Sequence, residues 1–377
     1  MNYSILDLER DLEVFKKKLK IAVVFGGDKQ KEDAVIFQTF NSRSWKSYEK
    51  VAKEIAQTLK ELGFEHVELF CDDSSLANNL KENKIDFVWL NSGGVQGINP
   101  LSHTPALLEM LGIPFVGHSS INATLLDNKH LFKYMINSLN IKTAPFLVFN
   151  PYQLTPEQFL ENRLLDFAED KFEFVVKPVS GRGSVNVFYV DSKEEFLRVS
   201  KEIFQTTKDY ILIEKYLSGA EYCVAVHGEI AFIDGKLTKL DEPFAFSAIE
   251  RVLDEDEMVF TSMDKKPISS KRVKPLKDAE VIKKLKNLAK EVYQLNNIET
   301  LIRLDVRADE NGELYILEAN PKPDLKRPEK NVASIISLGL TEYNIGYNQL
   351  ILQIFANTIF SLFNYKEHLI KHIKELR

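Results

Sequence analysis

Residues 301–320 read LIRLDVRADENGELYILEAN, two runs of alternating side chains on either side of Asn311-Gly312. Asn-Gly between such runs is the strongest short-range hairpin signal, and it predicts a two-residue type I′ turn. That turn sets Arg303 opposite Asn320 and Asp305 opposite Glu318. Side chains alternate along a strand, so all four share one side of the ribbon. Ile302, Leu304 and Val306, with Tyr315, Leu317 and Ala319, then make an apolar side able to pack on a core. The pairing depends on Asn311-Gly312 being the turn, because a longer loop shifts the register.

Two carboxylates placed opposite each other destabilise a hairpin unless a positive charge sits between them. Asp305, Glu318 and Asn320 offer only oxygen, which suits magnesium, an ion that completes its shell with phosphate and water. Arg303 beside it is placed to hold a phosphoryl group as charge builds during transfer. The plain alternative is a solvated hairpin with a surface salt bridge.

A chain of 377 residues is long enough for two or three domains that each bury a core. Its 49 basic and 55 acidic residues leave a net charge of −6, which gives no general attraction to nucleic acid or anionic membrane. Cys71 and Cys223 are the only cysteines, too few for a disulfide framework or a Cys-type zinc site. No apolar run approaches the length of a membrane span, and the N-terminal segment MNYSILDLERDLEVFKKKLK is charged throughout, unlike a signal peptide. A cytoplasmic protein is expected. No His-Glu-x-x-His metal pair and no Gly-x-Ser-x-Gly elbow occurs.

The first third alternates strand and helix: strands near residues 20–25, 67–70, 85–90 and 113–116, helices near 47–62 and 105–111. A parallel α/β sheet follows, and its ligands bind beyond the carboxyl ends of strands, where Gly26-Gly27 and the loop 91–97 (NSGGVQG) fall. Taken singly, either loop is better explained by ordinary turn chemistry. Residues 175–190 (VVKPVSGRGSVNVFYV) carry a second glycine signal. A Rossmann fingerprint or P-loop needs a helix directly after the glycines, yet VNVFYV reads as a strand. A glycine loop joining two strands can still fold over phosphates, with Lys177 reaching them as a point charge. An exposed hairpin with a surface lysine is the alternative. Downstream, residues 210–217 (YILIEKYL) read as a strand whose backbone groups at Lys215, Tyr216 and Leu217 can meet an adenine edge, while Glu221 can accept from both ribose hydroxyls. Glu214 and Glu221 are also explicable as surface charges on a half-buried sheet.

Together these residues resemble the ATP-grasp superfamily, and most closely its D-alanine:D-alanine ligase branch. The similarity runs in order through the Gly-Gly after the first strand, residues 107–117 (LLEMLGIPFVG), Lys129 with Lys133, VVKP before the Gly/Ser loop, EKYLSGAE, and RLDV followed by LEAN. The resemblance implies an α/β ATP-grasp fold of three domains: a parallel-sheet domain over 1–128, a central subdomain with the phosphate loop over 129–221, and a subdomain with the magnesium site over 222–377. Nucleotide would bind between the last two. Carried over residue by residue, Lys129 and Lys177 would hold phosphates, and Gly181, Gly183 and Ser184 would cover them. Glu214, Lys215, Tyr216, Leu217 and Glu221 would form the adenosine pocket. Asp305, Glu318 and Asn320 would hold two magnesium ions, and Arg303 would stabilise the acyl phosphate and tetrahedral species. The implied activity is ATP-dependent ligation of small amino-acid-like substrates, carboxylate to amine.

Departures fall on the substrate side. Where the family continues after its Asn with Thr-Ser-Pro-Gly-Met-Thr and later a Ser-Leu pair, this chain reads PKPDLKRPEK over 321–330, placing Glu329 and Lys330 at that pair. The family's N-terminal glutamate motif is missing from residues 28–44, and its Leu-His-Gly has become Leu90-Asn91-Ser92. In the lid region 241–275, Lys265 or Lys266 is the candidate for the family's lysine. Retained ATP chemistry with rebuilt amino-acid pockets is therefore expected, and a product other than D-alanyl-D-alanine. Three alternatives stand: a true D-alanine:D-alanine ligase, a nucleotide-binding protein without ligase activity, and an ATP-grasp carboxylase or kinase-like relative. The C-terminal run 344–377, an apolar helix with a charged extension, is expected to pack or to make a dimer contact, and a homodimer is expected.

Overall fold

The computed structural model describes residues 3–26, 28, 30–31, 47–94, 99–181, 183–254, 257–260, 272–328 and 334–377. Gly27, Lys265, Lys266, Glu329 and Lys330 lie outside these residues, as do most of the segment 28–44 and part of the loop 91–97.

Strands β1 (Lys20–Phe25), β2 (His66–Cys71), β3 (Phe87–Leu90) and β4 (Phe115–Val116) form a wholly parallel sheet in the order β2-β1-β3-β4. Alternation along β1 explains why both faces are covered. Ile21 and Val23 meet the helices Ile5–Lys18 and Glu49–Glu61, while Ala22 and Val24 meet Leu76–Glu82 and Pro100–Leu111. The chain leaves β1 for β2 on one side and later returns to β3 on the other, so the strand order switches between β1 and β3.

A second, antiparallel sheet follows: β5 (Phe146–Phe149), β6 (Phe174–Pro178), β7 (Phe188–Val190) and β8 (Ile211–Lys215), ordered β5-β8-β6-β7. The helix Lys193–Thr207 covers it with Phe196, Val199 and Ile203. After β9 (Glu221–His227) the chain makes a separate two-stranded hairpin, β10 (Ile230–Ile233) and β11 (Lys236–Lys239), and the third sheet combines β9 with β12 (Phe244–Arg251), β13 (Val273–Pro275), β14 (Ile302–Ala308) and β15 (Leu314–Asn320). Its order is β13-β12-β9-β14-β15. The helices Lys129–Ser138 and Ala279–Leu295 pack on one of its faces through Phe132, Ile136, Leu285 and Val292.

The β14–β15 ribbon corrects the expected turn. Asp309 N–H donates to the Glu313 carbonyl at 3.0 Å, and Gly312, at φ +79°, donates to the Asp309 carbonyl at 3.1 Å. The loop is therefore the three residues Glu310-Asn311-Gly312, not the two-residue Asn311-Gly312. Asp309 causes this: its carboxylate accepts from the amides of Asn311 and Glu313 at 2.9 and 2.8 Å, a local capture that competes with the type I′ form. Near the turn, Val306 faces Ile316 and Ala308 faces Leu314. A register shift between Asp305 and Val306 leaves Leu317 as the extra residue and restores the expected pairs, Arg303 with Asn320 and Asp305 with Glu318. Ile316 and Leu314, rather than Leu317 and Tyr315, consequently join the core side.

The helix Tyr347–Tyr365 packs back on the parallel sheet, where Phe355 meets Phe64 and Phe87 edge-on at 5.0 and 5.1 Å. Among the described residues, no helix is long and apolar enough to cross a membrane.

Candidate active site

A cavity of about 710 Å³ is walled by the second and third sheets and reaches residues 47–51, at the start of the helix Glu49–Glu61 that packs on the parallel sheet. Lys177 enters from β6, Glu214 and Lys215 from β8, and Glu221 from the head of β9. Arg303 and Asp305 enter from β14, Glu318 and Asn320 from β15. Lys129, Leu217, Gly181, Gly183 and Ser184 complete the set drawn from sequence. Tyr216 stands behind the wall: its hydroxyl accepts from Arg307 Nη2 at 3.0 Å, and its ring lies 4.7 Å from that guanidinium.

The glycine loop joins two antiparallel strands, as its sequence requires, with Gly183 at φ +70°. Lys129 begins a helix, donates through Nζ to the Gly181 carbonyl at 3.0 Å, and stands 3.6 Å from Glu318. One lysine thus spans the loop and the paired strands. Deeper in, Glu214 is buried between two lysines, each 2.5 Å away: Lys133 and Lys177. Burial opposes ionisation of Glu214, but the two lysines outweigh it and hold the carboxyl below its ordinary range. Burial also opposes the Lys177 ammonium, yet Glu214 and Glu318 prevail and raise its pKa. For Lys133, burial wins and lowers it. The Glu214 carboxylate therefore holds Lys177 at the cavity wall that both residues line.

Asp305 is buried at the cavity wall between two guanidinium groups. Arg303 Nε and Nη2 donate to its two oxygens at 2.8 and 3.0 Å, and Arg251 Nη2 reaches Oδ2 at 3.0 Å. Burial would raise the Asp305 pKa, but the two arginines pull it below the usual carboxylate value. Glu221 accepts from Arg251 at 2.9 Å and lies 3.8 Å from Arg307. The positive charge demanded by the opposed carboxylates is thus supplied by Arg303 and Arg251 at Asp305 and by Lys129 at Glu318. Sequence reasoning missed Arg251 and Arg307. Arg307 was findable, because period-two alternation puts it on the same side as Arg303 and Asp305; Arg251 had only its place at the end of an apolar strand.

At the exit of β8, Lys215 N–H is held by the Pro145 carbonyl at 2.9 Å and Tyr216 N–H by the Glu173 carbonyl at 3.0 Å. Those bonds fix the strand exit that presents Leu217. Leu317, moved to the cavity side by the bulge, adds an apolar surface there. Among the described residues, no three His, Cys, Asp or Glu side chains form a metal cluster. A cation would draw on Asp305, Glu318 and the Asn320 amide, an all-oxygen set with two negative charges that fits a hard dication completed by phosphate and water. The inner wall therefore gathers the ammonium groups of Lys129 and Lys177, the oxygens of Asp305, Glu318 and Asn320, and the Arg303 guanidinium.

A family profile described as D-ala D-ala ligase C-terminus matches residues 135–355. The D-alanine--D-alanine ligase of Aquifex aeolicus is 26% identical over 302 residues, which cover 80% of this chain and 92% of the relative. Among solved structures, a Bacillus anthracis D-alanine--D-alanine ligase complexed with ATP superposes with a TM-score of 0.62 at 20% identity, over 91% of this chain and 97% of its own. The VanG D-Ala:D-Ser ligase of Enterococcus faecalis also gives 0.62, at 17% identity, over 90% of this chain and 99% of its own. The chain belongs to the D-alanine:D-alanine ligase family of the ATP-grasp superfamily and is a ligase that forms carbon–nitrogen bonds.

Proposed function

We propose that this ligase uses ATP to activate the carboxylate of a small amino-acid-like substrate as an acyl phosphate and then joins it to an amine. The carboxylate oxygen attacks the γ-phosphorus and ADP leaves; the amine attacks the acyl carbon, loses its proton, and phosphate leaves with that oxygen. The observation that carries this is the convergence of Lys129, Lys177, Arg303, Asp305 and Glu318 on one cavity. The Bacillus anthracis neighbour holds ATP in the same fold. Lys129 and Lys177 bind phosphates, the loop with Gly181, Gly183 and Ser184 covers them, and Arg303 meets the charge that builds on the acyl phosphate. Asp305, Glu318 and Asn320 would hold magnesium, two ions by our reading, which when bound neutralises the transferring phosphoryl group. Leu217 and Leu317 face the base, and Glu221 the ribose.

We also propose domains 1–128, 129–221 and 222–377, with β9 of the third sheet beginning one residue before the last boundary, at Glu221. A cytoplasmic homodimer is part of the proposal, and light scattering measures its mass. We further propose a product other than D-alanyl-D-alanine, since PKPDLKRP follows Asn320 where the family has Thr-Ser-Pro-Gly-Met-Thr. Screening amino-acid pairs for ADP and phosphate release, with mass spectrometry of products, tests both statements. ATP turnover with no pair overturns the ligation, and D-alanine outpacing every other acceptor overturns the altered product.

A further inference from the structure

Lys129 and Lys133 stand one turn apart on the helix Lys129–Ser138 and share one of its faces. Lys129 lines the cavity, whereas Lys133 is buried beneath its wall. Lys133 Nζ lies 2.5 Å from Glu214 Oε1 and donates to Thr143 Oγ1 at 2.5 Å. The Thr143 hydroxyl gives its own hydrogen to the Ile316 carbonyl at 2.6 Å, so toward Lys133 it can only accept. Ile316 N–H in turn donates to the Lys142 carbonyl at 3.0 Å. Lys133 is thus moored to β15 beside the bulge at Leu317 and, through Glu214, to β8 of the second sheet.

A buried row of charge results: Lys133, Glu214, Lys177. Glu214 Oε2 lies 2.5 Å from Lys177 Nζ, and the three side chains are 0, 2 and 7% exposed. Among the described residues, Glu214 is the one carboxylate in ion-pair contact with either lysine. The row therefore sums to one positive charge with Lys133 and to none without it. Glu214 and Lys177 line the cavity, so this difference is felt there, and charges act more strongly where water is excluded.

We propose that Lys133 is a positioning residue for the nucleotide: by holding the Glu214 carboxylate from behind, it leaves the Lys177 ammonium to the phosphate oxygens instead of letting Glu214 neutralise it. This rests on the reading of Lys177 as a phosphate contact. Without Lys133, the Glu214 carboxylate turns wholly to Lys177, and the pair offers an incoming triphosphate no net charge. Burial lowers the Lys133 pKa, and the Glu214 carboxylate is the largest influence acting the other way. The contact that relieves Lys177 is thus also the one that sustains the Lys133 ammonium.

The test compares a non-hydrolysable ATP analogue with adenosine, which has the base and ribose but no phosphate, by calorimetric titration with magnesium present. The ratio of the two affinities isolates the phosphate end and cancels any change around the base. In Lys133→Met this ratio should fall about tenfold or more, the size of a lost charge-assisted contact. In the Lys133→Met/Glu214→Gln double variant it should recover to within about threefold of the wild type, because the glutamine amide oxygen still accepts from Lys177 but carries no charge. A purely structural role for Lys133 gives no such recovery, and its absence overturns the proposal. Lys177→Met is the reference. If it lowers the ratio while Lys133→Met does not, the proposal falls alone; if it leaves the ratio unchanged, the phosphate reading of Lys177 falls and the proposal with it. Circular dichroism checks folding. Should Lys133→Met fail to fold, the double variant decides: folding regained with a ratio near the wild type is the expected result, and a ratio as low as that of Lys177→Met overturns the role of charge.

Discussion

Arg303 grips Asp305 with two parallel hydrogen bonds, so removing it strips one of the two guanidiniums that keep this buried carboxylate charged. Lys129 and Lys177, not Arg303, are the proposed ground-state phosphate contacts. Arg303→Ala is therefore predicted to keep ATP affinity within a few fold while kcat falls on the order of 10²-fold or more, as for a lost transition-state donor. Calorimetry beside single-turnover kinetics checks this, and equal losses in both would place Arg303 in ground-state binding. Glu318 is a different case. Its side chain is 32% exposed and its ion pair with Lys129 is long, 3.6 Å, so little stability depends on it. Glu318→Ala is predicted to abolish phosphate release while the thermal midpoint stays within about 2 °C, as expected for a change worth only a few tenths of a kcal/mol. Normal turnover in that variant would remove the carboxylate from the site.

At the level of elements, the β14–β15 ribbon decides which side chains face the cavity. Its bulge turns Leu317 from the expected core side to the cavity, where it is half-buried. Leu317→Ala is predicted to weaken nucleotide binding about tenfold, the value of an apolar side chain buried by a ligand, with little change in stability. Fluorescent-nucleotide titration measures the first and thermal melting the second; a large drop in stability at unchanged affinity would return Leu317 to the core. The ribbon also shows what sequence can carry. The shared side of Arg303 and Asp305 was legible from alternation, but the pairing at the site matches expectation only because two unforeseen features cancel: the Asp309 carboxylate selects a three-residue loop, and the bulge at Leu317 restores the register. The glycine loop was legible from the strand that follows it. The burial of Glu214 between Lys133 and Lys177 was not, since those residues come from a helix and two strands far apart in sequence.

Across the whole molecule, the parallel sheet was legible from its apolar runs, whereas the partner of the helix Tyr347–Tyr365 was not. That helix is buried on most sides, so no single apolar stripe names what it packs against. Buried polar contacts settle its place: Gln353 and Asn357 meet the two ring nitrogens of His227 at 2.7 and 3.0 Å. Burial drives the His227 pKa down from 6.5 to about 3. Below pH 6.5 the unfolded chain takes up a proton that the folded chain refuses, so this stability is present above 6.5 and is lost on acidification. From pH 7.5 to 5 the wild type is predicted to lose about 2 kcal/mol more than a His227→Gln variant, at roughly 1.4 kcal/mol per pH unit below 6.5. Urea midpoints at the two pH values check it, and parallel slopes would mean that His227 does not titrate in this way. The acyl phosphate itself is tested most directly by following oxygen. With amino acids labelled with ¹⁸O in their carboxyl groups, phosphate released during ligation is predicted to carry one labelled oxygen, because the carboxylate oxygen that attacks the γ-phosphorus leaves with it. Product formation with unlabelled phosphate, or with release of pyrophosphate, would contradict carboxylate phosphorylation in this cavity.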